Sequence, residues 1–387
     1  MKIFKNAKVI FFDKIRDKVV VTDGGKIIDI CDRAEPSEEN TVIDCGGNYL
    51  SPGFIDAHIH GGGNKSAMSD NSSDIVDMAL AHLKYGTTSI VPTTLASPIE
   101  KLKSSVLTIK EASEKCKDAN ILGVHLEGPY LSLKYKGAQS PENILNPITE
   151  PPEELFGLWD KILMMGAAPE CEGCLDLGDK LKKHGIVASI AHSSASFETA
   201  ETALKHGYSD ITHIYNACSS CFKDGIFRTA GVVEAGLVSD GFTTQAIADL
   251  RHLPIGILKL IYKSKGDEKM YLITDGLEFS ASGIKENTVC SQENGVKVIY
   301  EDGVMKLADR SALAGSAATL NLCVKNMYKS VGIPLFSAVR MATLTPAEVL
   351  GYEKSKGKIA KGYDADLIIF DDDINIKSVF TNENKIY

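Results

Sequence analysis

Between residues 54 and 275 a short apolar run gives way to a helical pattern again and again. The runs fall at 54–60, 89–93, 121–127, 162–169, 186–192, 210–215, 244–249 and 271–275. Most of the stretches between them, such as DIVDMALAHLKYG and ASFETAETALKHG, carry apolar residues at helical spacing. Strands that alternate with helices run parallel, and eight such units close on themselves. The expected fold class is therefore α/β, a (β/α)8 TIM-type barrel.

The helix ends support this reading. HLKYG, LKKHG and ALKHG each place Lys, and two of them His, in the last turn before Gly. Cations complement the C-terminal dipole, and Gly supplies the left-handed cap. His184 and His206 are read as capping residues. His82, inside a helix, is read as a packing or surface residue.

The chain ends differ from the middle. KVVVTDGGKIIDI alternates around Gly24-Gly25 and predicts a hairpin. Near the other end, LIIF is a short apolar strand between turn-forming residues. Residues 1–52 and 355–387 are expected to build a small β-sandwich domain beside the 53–354 barrel.

In such a barrel the functional side chains sit where strands end. Strand one ends Asp56-Ala57-His58-Ile59-His60. Side chains two apart point the same way, so His58 and His60 can share one metal ion. The following Gly61-Gly62-Gly63 permits close backbone approach but lacks the context of a phosphate loop. Strand three ends at Glu127 before Gly-Pro, with His125 one layer deeper as packing or support. Strands five, six and eight end at His192, His213 and Asp275. Any one of these is an ordinary core or surface residue. Five polar endings on one barrel point to a metal centre of imidazoles and carboxylates, which suits zinc, iron or another first-row divalent ion.

Bulk properties narrow the partners. The formal net charge of -9 disfavours nucleic acid and anionic membrane surfaces. No apolar run approaches the ~20 residues of a membrane span. The start MKIFKNAKVIFF is not a convincing signal peptide, and nine cysteines leave at least one unpaired. A cytoplasmic location is expected. Cys171/Cys174 and Cys218/Cys221 have C-x-x-C spacing, but the pairs lie farther apart than in common zinc ribbons. They are read as incidental loop cysteines.

With these residues in view, a resemblance emerges. PGFIDAHIHG, HLEGPYL, the His192 and His213 endings and ITDG are similar to the amidohydrolase superfamily. HLEGPYL together with HIYNAC, ALAGSAATL, ATLTPAEVLG and KGKIAKGYDADLIIFD resembles, more narrowly, the N-acetylglucosamine-6-phosphate deacetylase family. The likeness covers nearly the whole chain. HLEGP with HIYNA is specific, whereas PGFIDAHIH marks only the superfamily.

The resemblance implies a set of roles. Glu127, His192 and His213 match the principal metal ligands. His58 and His60 match members that hold a second ion, so one or two divalent ions are implied. Asp275 matches the catalytic acid/base, and His252 a residue that polarises the carbonyl or binds substrate. Ala138, Gln139, Asn216, Ala217, Leu313, Ala314 and Gly315 match substrate contacts, and Arg228 the phosphate-binding arginine. A metal ion acidifies water and polarises a carbonyl, and a nearby carboxylate moves the proton. The implied activity is hydrolysis of N-acetyl-D-glucosamine 6-phosphate to D-glucosamine 6-phosphate and acetate, in a homodimer whose subunits lend groups to each other's sites.

The chain departs from its relatives at Ala248-Asp249-Leu250-Arg251-His252. There Leu250 stands where the family has Gly, and Arg251 replaces an apolar residue. This leaves the sugar open, N-acetylgalactosamine 6-phosphate being the alternative. A dihydroorotase-like cyclic amidase fits less well, since Glu127 stands where those enzymes use a carboxylated lysine. A non-catalytic scaffold fits least, because every ligand is retained.

Overall fold

The structure, a computed structural model, describes all residues except 36, 37, 39, 293, 294 and 383. Five strands lead: β1 (Lys2–Ile10), β2 (Ile15–Asp23), β3 (Lys26–Cys31), β4 (Thr41–Asp44) and β5 (Tyr49–Pro52). The expected hairpin is β2 against β3, antiparallel. The barrel begins at β6 (Phe54–Ile59), and a small hairpin follows, β7 (Gly61–Gly62) with β8 (Lys65–Ser66). Next come β9 (Thr87–Thr94), β10 (Asn120–Ile121), β11 (Val124–Glu127), β12 (Ile162–Ala167), β13 (Val187–Ile190) and β14 (Tyr208–Ile211). After the hairpin β15 (Phe222–Asp224) and β16 (Phe227–Thr229), the last barrel strands are β17 (Thr243–Ile247) and β18 (Met270–Ile273).

Parallel pairing runs β6–β9–β11–β12–β13–β14–β17–β18. The ring is drawn shut where the last strand meets the first. Asp275 N–H donates to the His58 carbonyl (3.0 Å), and His60 N–H donates to the Gly276 carbonyl (2.9 Å). Buried Asp56 braces the seam by accepting from Thr274 N–H (3.2 Å) and Thr274 Oγ1 (2.6 Å).

Several strands stop short of their expected ends. β13 ends at Ile190 rather than 192, β14 at Ile211 rather than 215, and β18 at Ile273 rather than 275. The cause is local. His192, His213 and Asp275 have φ of 44°, 27° and 49°. Left-handed backbone at a non-Gly residue cannot continue a strand, and its cost is of the kind found at functional sites. Each strand therefore breaks at the residue it presents.

Helices follow the strands: α1 (Ser72–Leu83), α2 (Ile99–Lys115), α3 (Glu153–Phe156), α4 (Cys174–Lys183) and α5 (Phe197–Lys205). Asn71 starts α1 by accepting from Ser73 N–H at 3.1 Å, and Ser196 starts α5 by accepting from Thr199 N–H at 3.2 Å. His184 and His206 cap α4 and α5, as expected, and left-handed Gly185 and Gly207 follow them. His82 is fully buried, its Nε2–H donating to the Gly61 carbonyl at 3.1 Å. A Cβ on Gly62 would lie 2.2 Å from that nitrogen. At Gly62 the missing side chain thus makes room for α1.

An element not expected from the sequence follows β18. It is an antiparallel sheet of β19 (Thr288–Ser291), β20 (Lys297–Glu301) and β21 (Val304–Leu307). The chain then returns through β22 (Leu367–Phe370), β23 (Ile376–Thr381) and β24 (Asn384–Lys385) to the N-terminal sheet, in the order β24-β23-β22-β5-β1-β2-β3, with β4 on β1. Alternation along LIIF divides two cores. Ile368 and Phe370 pack with the barrel, and Leu367 and Ile369 pack with Phe4, Val9, Val20 and Leu50 of the sheet. Phe4 and Phe380 meet edge to face at 4.9 Å although β5 and β22 lie between their strands. The sheet therefore folds over its own core, which accounts for the sandwich character. Among the described residues no helix is long and apolar enough to cross a membrane.

Candidate active site

The rim residues converge. Glu127 Oε1 lies 2.9 Å from His213 Nε2, 3.2 Å from His192 Nε2 and 3.5 Å from His58 Nε2. Glu127 Oε2 lies 3.4 Å from His60 Nε2. Asp275 Oδ1 lies 3.2 Å from His60 Nε2 and 3.6 Å from His58 Nε2. Two ligand clusters result, His58/His60/Glu127 and Glu127/His192/His213, with Glu127 common to both.

The outer nitrogens explain why the inner ones face each other. Nδ1–H of His60, His192 and His213 donates to the carbonyls of Thr93, Tyr135 and Asn216. A proton on Nδ1 leaves Nε2 as a lone pair. Two such nitrogens, His58 Nε2 and His60 Nε2, lie only 3.3 Å apart, which is unfavourable unless a proton or a metal ion sits between them. This donor set therefore fits divalent metal ions.

Charge agrees. Burial pushes the Glu127 carboxyl up, but the His58 and His192 rings facing it outweigh that and hold it well below the usual carboxylate range. Burial likewise opposes ionisation of Asp275, yet the hydrogen bond from His60 and the nearby His58 bring it to about 2. His58 is pushed down to about 4 by burial, against the pull of Glu127 and Asp275. At His60 burial is outweighed by the Asp275 and Glu127 carboxylates, and the ring is raised to about 10. Two ionised carboxylates supply the charge a divalent ion needs, and an ion at His60 must displace that ring's proton. His125 is buried and held neutral by desolvation, its ring edge-on to His58 at 4.6 Å between centroids. It packs against His58 and does not line the cavity above the cluster.

Above the cluster opens a cavity of ≈ 440 Å³. Its wall includes His60, Glu127, His192, His213, Asp275 and His252, and also Ala138, Gln139, Asn216, Ala217, Leu313, Ala314 and Gly315. Sequence reasoning missed Lys134, Tyr135, Tyr215, Leu277 and Gln292, which line it too.

The model of the amidohydrolase family matches residues 49–386. The chain belongs to the amidohydrolase family. Relatives agree over the whole length. The chain is 33% identical over 360 residues, 93% of its length and 92% of the relative's, to the N-acetylglucosamine-6-phosphate deacetylase of Haemophilus influenzae. It is 29% identical over 401 residues to the human protein of that name, covering 99% of this chain and 95% of the relative. Among solved structures, the N-acetylglucosamine-6-phosphate deacetylase of Pasteurella multocida superposes with a TM-score of 0.92 at 32% identity, covering 99% of each chain. An aspartate-to-alanine mutant of the Mycobacterium smegmatis deacetylase, in complex with N-acetyl-D-glucosamine-6-phosphate, gives 0.89 at 25% identity and covers 99% of this chain and 98% of that one.

In this amidohydrolase, Gln139 has both polar ends engaged. Its Nε2 donates to Glu127 Oε2 (2.8 Å), and its Oε1 accepts from Ala96 N–H (2.9 Å). It holds the carboxylate. Within 248–252, Leu250 adopts φ 64°, in the left-handed region where Gly is at ease. Asp249 Oδ1 accepts from the backbone N–H groups of Arg251 and His252 (both 2.8 Å), and His252 Nδ1–H donates to Asp249 Oδ2 (2.6 Å). His252 is thus anchored in the wall. Arg251 is exposed and lies beside Gly303, at the turn between β20 and β21, and does not line the cavity.

Arg228 is the one predicted substrate residue that its own chain does not bring into the cavity. It sits exposed in the β15–β16 hairpin, beside Ile226 and Phe227, which are 87% and 71% exposed. All nine cysteines are free thiols, and the C-x-x-C pairs form no ligand cluster among the described residues.

Proposed function

We propose that this chain hydrolyses N-acetyl-D-glucosamine 6-phosphate to D-glucosamine 6-phosphate and acetate. The observation that carries the reading is the Asp275 carboxylate 3.2 Å from His60, beside a four-imidazole, one-carboxylate cluster at the floor of a cavity, in a chain similar over 93% of its length to a deacetylase of that sugar phosphate.

A divalent ion in the cluster, zinc or iron by its donor chemistry, supplies Lewis acidity toward water and the acetyl carbonyl. Glu127, His192 and His213 would hold one ion, and His58 and His60 with Glu127 would hold a second. Asp275 accepts the proton of the attacking water at Oδ1 and delivers it to the sugar nitrogen as the C–N bond breaks. His252, fixed by Asp249, offers its second ring nitrogen to the acetyl oxygen or a sugar hydroxyl. Gln139 keeps Glu127 turned toward the cluster, with Ala138 beside it. Asn216, Ala217 and the Leu313-Ala314-Gly315 stretch shape the sugar site.

The phosphate falls to Arg228, whose planar guanidinium suits two phosphate oxygens. Since that residue stands on an exposed apolar hairpin, the reading includes a homodimer in which it serves the partner's cavity. It also includes a cytoplasmic location, consistent with nine free thiols, and a division into a sheet domain, 1–52 with 355–387, and a barrel domain, 53–354.

Acetate release tests the substrate. The 6-phosphate of N-acetylglucosamine is expected to be hydrolysed with a kcat/KM well above that of the galacto epimer and of the unphosphorylated sugar. Preference for the epimer, or indifference to the phosphate, refutes the assignment.

A further inference from the structure

His58 differs from the other three ring ligands in what holds its outer nitrogen. The others rest on main-chain carbonyls, which only accept, so their tautomers follow from the backbone path. His58 Nδ1 instead meets a side chain, Gln245 Oε1, at 2.8 Å. A carboxamide has an accepting end and a donating end, so Gln245 by itself would leave the tautomer open.

Its far end decides the matter. Gln245 Nε2 donates to Asp210 Oδ2 at 2.9 Å, and a carboxylate only accepts. Met164 Sδ, a weak acceptor, lies 3.3 Å from the same nitrogen. Asp210 is itself fixed, accepting from Ser189 Oγ (2.8 Å) and Thr243 Oγ1 (2.6 Å). Asp210, Gln245 and His58 are all fully buried, so no water competes for these bonds. The chain of bonds has one direction: the amide NH2 faces Asp210, the amide oxygen faces His58, and the His58 proton sits on Nδ1. Nε2 is left bare toward Glu127 and His60.

We propose that Gln245, oriented by Asp210, is the positioning residue that makes His58 a metal ligand and thereby allows a second ion in the His58/His60/Glu127 cluster. This rests on the two-ion reading above. The Glu127/His192/His213 cluster does not depend on the relay, because the outer nitrogens of its rings are held by Tyr135 and Asn216.

Two readouts test the relay. The first is the ring-nitrogen NMR spectrum of metal-depleted protein labelled with 15N-histidine, with His58 assigned by its absence from a His58→Gln sample. Wild type is expected to carry the His58 proton on Nδ1. Gln245→Met, similar in length but without the amide, is expected to lose that preference. The second is zinc stoichiometry and affinity. Wild type is expected to take up two ions, and Gln245→Met to bind the second about 10–100-fold more weakly, the usual effect of losing a ligand's hydrogen-bond partner. Should Gln245→Met fail to fold, Asp210→Asn, which lets the amide turn either way, is expected to shift both readouts in the same direction. A loss of packing alone would lower thermal stability and leave the tautomer unchanged. Two tight ions and an Nδ1 proton in the variants overturn the relay while the two-ion reading stands. A wild type that binds one ion, unaffected by His58→Ala, overturns that reading and the occupancy role with it.

Discussion

Asp275 stands at left-handed φ just past the closing strand, its carboxylate 3.2 Å from His60 and its backbone bonded to His58. Replacing it by Asn keeps the shape and an oxygen donor but removes the proton acceptor. Turnover is expected to fall by about 10²–10⁴, the usual worth of a positioned acid/base, with metal content unchanged on the same sample. Near-normal turnover would remove Asp275 from proton transfer. The residues that converge at the rim were legible in the sequence because apolar runs ended on single ionisable side chains. Gln245 and Asp210 were not, since each lies inside a buried strand, where the sequence does not say what it faces. Gln139 was legible as a site residue, but its grip on Glu127 needed the structure.

At the scale of elements, the alternation of strand and helix was legible because its two periods differ so plainly. The strand ends were not, because the left-handed turns at His192, His213 and Asp275 depend on what the rim must present. The β19–β21 sheet was overlooked, although a signal was there. Asp302 and Gly303, at φ 59° and 74°, make the kind of turn that joins antiparallel strands, and VKVIYEDGVMKL alternates around it. The β15–β16 hairpin carries the prediction at this scale. Arg228→Ala is expected to raise KM for the 6-phosphate by about tenfold or more, as losing a charge-assisted bond worth roughly 1.5–3 kcal/mol implies. It is expected to leave KM for an unphosphorylated analogue little changed. Equal effects on both in steady-state assays would place the phosphate elsewhere.

Across the whole molecule, the two chain ends are tied to the barrel by a charged knot. Lys356 Nζ contacts Asp366 Oδ2 (2.5 Å) and Asp364 Oδ2 (3.0 Å), Lys26 contacts Asp364 from β3, and Asn120 of β10 donates to Asp366 (3.0 Å). Burial pushes the Lys356 ammonium down, but the two carboxylates outweigh it and hold it up; the Asp364 carboxyl is held below its usual range by Lys26 and Lys356 against its own burial. The stability Asp364 contributes is therefore present above the ordinary carboxylate range, about pH 4, and lost as pH falls through its lowered value. The part from Lys356 is present below about pH 10 and lost as pH rises through its raised value. Lys356→Met is expected to cost about 3–5 kcal/mol by urea unfolding at pH 7, because it leaves the buried Asp366 carboxylate without its cation, whereas Asp364 keeps Lys26. The gap to wild type is expected to narrow below about pH 4, as pH falls through the lowered value of Asp364. A constant gap would show that the lysine acts through packing alone.

The central claim, that metal held at this rim drives deacetylation of a phosphorylated amino sugar, is tested most directly by removing and restoring the metal. Protein stripped with chelator is expected to release no acetate from N-acetyl-D-glucosamine 6-phosphate and to regain activity in step with added zinc or iron up to the bound stoichiometry. Full acetate release by verified metal-free protein, or none at any metal loading, would contradict the account.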